Sequence, residues 1–109
     1  MQETKSIHPF EKEVLVNLLN EIIACADHEI AGIYAGKQSH WCVEWLKNIV
    51  LPEMTELLTY AENQKVFFKW GADQRMLESA YLLTDSLGIL NSTELGQKVS
   101  KLQEIYRAI

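Results

Sequence analysis

Apolar residues recur at intervals of three and four along most of this chain, a spacing that suits amphipathic helices and fits strands poorly. Leu15, Leu18, Leu19, Ile22, Ala26, Ile30 and Ile33 form one such stripe, with Glu13, Asn17, Asn20, Glu21, Asp27 and His28 on the opposite face. Pro9 suits a first helical position, where the N–H it lacks would be unpaired anyway. The spacing therefore predicts a first helix over residues 9–31, closed near Gly32 and Gly36, whose backbones tolerate a left-handed turn.

Ser39 is placed to cap a second helix, in which Trp41, Trp45 and Ile49 make one row beside Val43, Leu46 and Val50. So wide an apolar face predicts a central helix. Pro52 kinks or restarts it, because its ring clashes with the carbonyl four residues back. Met54, Leu57, Leu58 and Ala61 continue the phase, which can extend through Phe68 to Trp70 with Gly71 as terminator. Met76, Leu77, Ala80, Leu83 and Leu87 predict a third helix from Ala72, stopped by Gly88. Asn91 and Glu94 have the form of a capping box, and behind them Leu95, Val99, Leu102, Tyr106 and Ile109 step by four and three. Period-two alternation is absent at useful length except around Val66 to Trp70.

The expected architecture is all-α: a single-domain antiparallel bundle of about four helices over residues 1–109, its second helix long or kinked at Pro52. At 109 residues and 48% hydrophobic content the chain can bury one core without staples. Its longest runs free of charge, such as 14–20 and 86–93, fall far short of the roughly 20 residues a membrane span needs. The opening Met1-Gln2-Glu3-Thr4-Lys5 lacks the order of a secretory signal, which predicts a cytoplasmic protein. Cys25 and Cys42 are too few for a disulfide framework and are expected as small buried hydrophobes.

Most helical enzyme chemistries fail for want of a partner residue. Cys25, His28, His40 and Cys42 match tetrahedral zinc in number, but residues two apart on a helix do not face each other. Glu53 and Glu56 are similar to half of the paired carboxylates by which all-α nucleotide pyrophosphohydrolases hold magnesium. The second acidic cluster is missing, since Tyr81 follows Glu78 by three and Leu82 precedes Asp85 by three. There is no His-Glu-x-x-His, no Gly-rich phosphate loop and no Gly-x-Ser-x-Gly elbow. An enzymatic alternative is thus a metal-binding protein or metal-dependent hydrolase built from His28, His40, Glu44, Glu53 and Glu56. No cofactor is expected.

The net charge of −5 is unevenly placed: residues 1–30 carry six acids and two bases, whereas residues 63–75 carry one acid and three bases. Lys65, Lys69 and Arg75 are too few to neutralise many phosphates, which argues against nucleic-acid binding. Concentrated negative charge on a small domain without catalytic motifs steers it onto a basic protein surface. The expected function is an acidic interaction protein of inhibitor, immunity or antitoxin type, using Glu13, Glu21 and Asp27 of the first helix, together with Phe67, Phe68 and Trp70 where residues 64–71 form an exposed loop; as the end of the second helix they complete the core instead. The layout is broadly similar to that of small bacterial immunity proteins, an analogy of fold that carries little about function. Self-association through the Trp41/Trp45 face or the final helix is a further expectation.

Overall fold

In a computed structural model of the chain, described over residues 3–85 and 88–109, two short strands accompany the helices. The order is β1 (Glu3–Ser6), α1 (Pro9–Tyr34), α2 (Val43–Trp45), a π-helical turn (Leu46–Val50), α3 (Leu51–Glu62), β2 (Lys65–Phe68), α4 (Glu78–Asp85), a 3₁₀ turn (Ile89–Ser92) and α5 (Glu94–Ala108). The chain is mostly helical, and the all-α expectation is corrected by an antiparallel pair in which Glu3 lies opposite Phe68 and Ser6 opposite Lys65.

α1 begins where Pro9 places it, with the Glu11 carboxylate accepting from the His8 amide at 2.9 Å. It runs past the predicted end to Tyr34, with Gly32 inside it. Gly36 then adopts a positive φ of 87°, and its amide donates to Ile33 O while that of Lys37 donates to Gly32 O. This paired closure satisfies carbonyls that would otherwise be orphaned at the helix end. The buried stripe Leu15, Leu18, Leu19, Ile22, Ala26 and Ile30 packs α1 against α3 and α5.

The helix from α2 to α3 is continuous through Pro52, and the π-helical turn explains how. The Leu51 amide reaches back five residues to Leu46 O, so the backbone widens where the proline can donate nothing. Ser39 is not the cap of this helix. Cys42 holds that position, while the Ser39 hydroxyl accepts from the Trp41 amide at 3.0 Å and donates to the Glu29 carboxylate.

The predicted helical extension to Trp70 is overturned. α3 stops at Glu62, Gln64 turns the chain with φ 56°, and Val66, Phe67 and Phe68 enter β2. Their β-branched and aromatic character suits a strand buried on both faces once β1 supplies its backbone partners. Phe67 stacks on Tyr60 with ring centroids 5.0 Å apart, and Phe68 lies against Tyr106 at 5.2 Å. The third helix starts at Glu78 instead of Ala72. Of its predicted stripe, Leu77, Ala80 and Leu83 are buried, and Leu87 lies outside the described residues.

α5 is capped by Thr93 in place of the predicted Asn91/Glu94 box. The Thr93 hydroxyl accepts from the Gly96 amide and from Trp41 Nε1, each at 3.0 Å, and donates to Leu90 O at 2.6 Å, which uses its whole hydrogen-bonding capacity. Trp41 is thereby fixed in the core at 3% exposure, and Trp45 packs against it. Of the surfaces expected for self-association, Trp41 and the α5 stripe are buried within the chain, whereas Trp45 is partly exposed.

Gly96 sits so close to the 3₁₀ turn that a Cβ there would lie 1.8 Å from Leu90 O, whereas at Gly32 the nearest atom would be Lys37 Cδ at 3.6 Å. Gly96→Ala should therefore destabilise the fold by about 1–3 kcal/mol or more, through overpacking against backbone. Gly32→Ala should leave it unchanged or stabilise it by up to about 1 kcal/mol. Thermal unfolding of the two variants checks this, and equal midpoints would contradict the close approach at Gly96.

Candidate functional site

The predicted contact residues divide between surface and core. Glu13, Glu21 and Asp27 lie on the exposed face of α1. Trp70 is exposed as well, at 52%. Phe67 and Phe68 are buried at 4% and 1%, because β2 has its ladder on one edge and core on both faces; neither ring is available to a partner.

The five residues of the metal-dependent alternative do not come together either. His28 borders a polar hollow at the end of α1 with Lys37 and Ser39, while Glu53 and Glu56 line a cleft shared with β2 and α4. Among the described residues, no group of three or more His, Cys, Asp and Glu is placed to hold a metal ion. Cys25 is half-buried, and burial pushes its thiol up, away from the reactive thiolate.

The cleft at Glu53 is the most developed polar feature. It is a cavity of about 90 Å³ whose wall includes Asn48, Glu53 and Glu56 from the helix before β2, Lys69 beyond β2, Glu78 of α4 and Tyr106 of α5. Glu53 is its anchor. The two carboxylate oxygens accept from the Glu78 and Ser79 amides, each at 2.8 Å, so the first turn of α4 is capped by a side chain from α3. Burial pushes the Glu53 carboxyl up, opposed by the two amides it accepts from. Tyr106 donates to Phe67 O at 2.7 Å, and burial pushes its phenol up to about 12. It ties α5 to β2 and is no proton donor near neutrality.

Beside the cleft, and sharing Ile49, Met76, Leu77 and Glu78 with it, is a more open groove of about 550 Å³ walled also by Trp70, Gln74, Tyr81 and Leu82. Tyr81, 58% exposed, stands on its rim. Tyr81 was not expected as a contact residue. The available signal was its place outside the apolar phase of Leu77, Ala80 and Leu83, which leaves a large ring facing water.

The basic spot foreseen at Lys65, Lys69 and Arg75 is dispersed. Lys69 pairs with Glu78. Arg75 donates to Ala72 O at 3.0 Å and Arg107 O at 3.1 Å, and its guanidinium covers the Phe68 ring at 4.6 Å. Among the described residues no helix is long and apolar enough to cross a membrane. No family model, curated protein or solved structure matches this chain.

Because burial raises Glu53 above its ordinary value of 4.5, the folded chain keeps this proton to a higher pH than the unfolded chain does. The stability linked to that proton is fully present below the ordinary value and is lost as pH rises through the raised one. Unfolding followed from acid to neutral pH should show Glu53→Gln, though weaker in capping, losing less stability over this window than the parent. Identical pH slopes would contradict the assignment.

Proposed function

We propose that this chain is a non-enzymatic binding module that engages a basic segment of another protein. The observation that carries the proposal is that three acids of one exposed helix face are left without partners. Glu11 caps α1, Glu29 accepts from Ser39, Glu53 caps α4 and Glu78 pairs with Lys69. By contrast, Glu13, Glu21 and Asp27, on the exposed face of α1, make no hydrogen bond or ion pair among the described residues. Their charge is therefore directed to solvent, where it attracts cationic surfaces over about one Debye length, roughly 8–10 Å.

Steering of this kind raises encounter rates and selects partners by sign; tight binding then needs buried apolar contact. The exposed Trp70 and Tyr81 offer such contact without any ring having to leave the core. An inhibitory, immunity or antitoxin-type role in the cytoplasm is consistent with a module that binds and whose described residues gather no metal-ligand cluster.

Captured on the immobilised chain from an extract, a partner with a basic segment should be retained at low salt and released as ionic strength rises. Reversal of the α1 face, Glu13→Lys with Glu21→Lys and Asp27→Lys, should abolish that retention without shifting the unfolding midpoint. Retention indifferent to both salt and charge reversal would overturn the proposal.

A further inference from the structure

Lys69, the residue after β2, has two partners for its ammonium group. One is the Glu78 carboxylate at the start of α4, and the other is the face of Trp70, whose ring centroid is 5.1 Å away. A carboxylate and an indole face converging on one ammonium form a cation-recognition site, since the ring quadrupole and the negative charge pull in the same direction. The hydrogen bond to Glu78 and its charge, with smaller pulls from Glu53 and Glu56, hold the Lys69 amine above its ordinary value. The groove walled by Ile49, Met76, Tyr81 and Leu82 opens directly beside this position. Trp70 is 52% exposed and the Lys69 and Glu78 side chains 46% and 37%, so the pairing can exchange with solvent.

We propose that Trp70 and Glu78 bind a lysine or arginine side chain of the partner's basic segment, that the groove at Tyr81 takes an apolar neighbour of that cation, and that Lys69 is an internal stand-in displaced on binding. This rests on the binding-module reading and gives it a location. Charge complementarity selects the occupant. With Lys69 swung out on its flexible stem, Glu78 faces outward beside Glu56, which has no hydrogen bond or ion pair of its own among the described residues. A neutral ligand would leave Glu78 unpaired, and an acidic one would meet the carboxylates of Glu53, Glu56 and Glu78. A cationic ligand replaces one ammonium with another, so the net gain comes from the apolar side chain entering the groove.

The test uses the full chain, isotopically labelled, titrated with short capped peptides of alternating Leu–Lys, Leu–Gln or Leu–Glu and followed by amide and indole NMR shifts. The Leu–Lys peptide should give saturable shifts at the Trp70 indole, Glu78 and Tyr81, with weaker binding of Leu–Gln and none of Leu–Glu. Lys69→Met should tighten Leu–Lys binding about two- to fivefold, the range of one exposed cation–π contact. Lys65→Met makes the same change in net charge away from the groove, and should leave the affinity unchanged. Equal tightening by both substitutions, no tightening by Lys69→Met, or equal binding of the Leu–Glu peptide would overturn the site. Shifts confined to the α1 face would overturn the site and leave the binding-module reading standing, whereas no shift with any peptide would overturn both.

Discussion

The Glu53 carboxylate is the contact on which the arrangement around the groove depends. α4 is short, with Glu78–Asp85 as its bounds, and a helix of that length is marginal unless its first amides are satisfied. Glu53 satisfies two of them from α3, and in doing so sets where Glu78 stands relative to β2. Lys69 and Trp70 follow β2 immediately, so the capping contact also fixes the spacing between the Glu78 carboxylate and the Trp70 ring. The loop between β2 and α4 is held by further contacts: Gln103 Oε1 accepts from the Leu77 amide at 2.8 Å, and Gln103 Nε2 donates to Arg75 O at 2.6 Å. A short helix, a strand end and a loop are thereby joined by hydrogen bonds into one rim.

The helices that read clearly in the sequence are those whose information is local. α1 has Pro9 at its start, a long stripe at helical spacing and Gly36 just past its end, and α5 has an unbroken step of four and three. Their boundaries moved by a few residues because the final turn of α1 is closed by hydrogen bonds from Gly36 and Lys37, which apolar spacing does not encode. β2 was legible only as an ambiguity, for the opposite reason. Lys65 to Phe68 fits the end of a helical phase as well as a strand, and what decides between them is β1, some sixty positions away in the chain. A surface role for Phe67 and Phe68 required 64–71 to be an exposed loop, and a helical end would have buried them; the paired strand buries both rings by a different route.

The candidate site was legible only in its parts. Trp70, Lys69, Glu53 and Glu56 each stood out by type or spacing, yet nothing local says that Glu53 caps another helix or that Lys69 meets Glu78 nine residues later. Such pairings belong to tertiary structure, which brings a buried carboxylate to backbone amides with no motif to mark it. The charge map behaves similarly. The acidic excess of residues 1–30 was visible by counting, but only the fold separates Glu11 and Glu29, engaged within the chain, from Glu13, Glu21 and Asp27, which face water.

Whether the Glu53 carboxylate organises this rim is tested most directly by hydrogen exchange at the Glu78 and Ser79 amides, in the parent and in Glu53→Ala. The account predicts strong protection of both amides in the parent and its selective loss in the variant, with α1 and α5 still protected. Fast exchange at Glu78 and Ser79 in the parent, or protection that survives removal of the carboxylate, would contradict it.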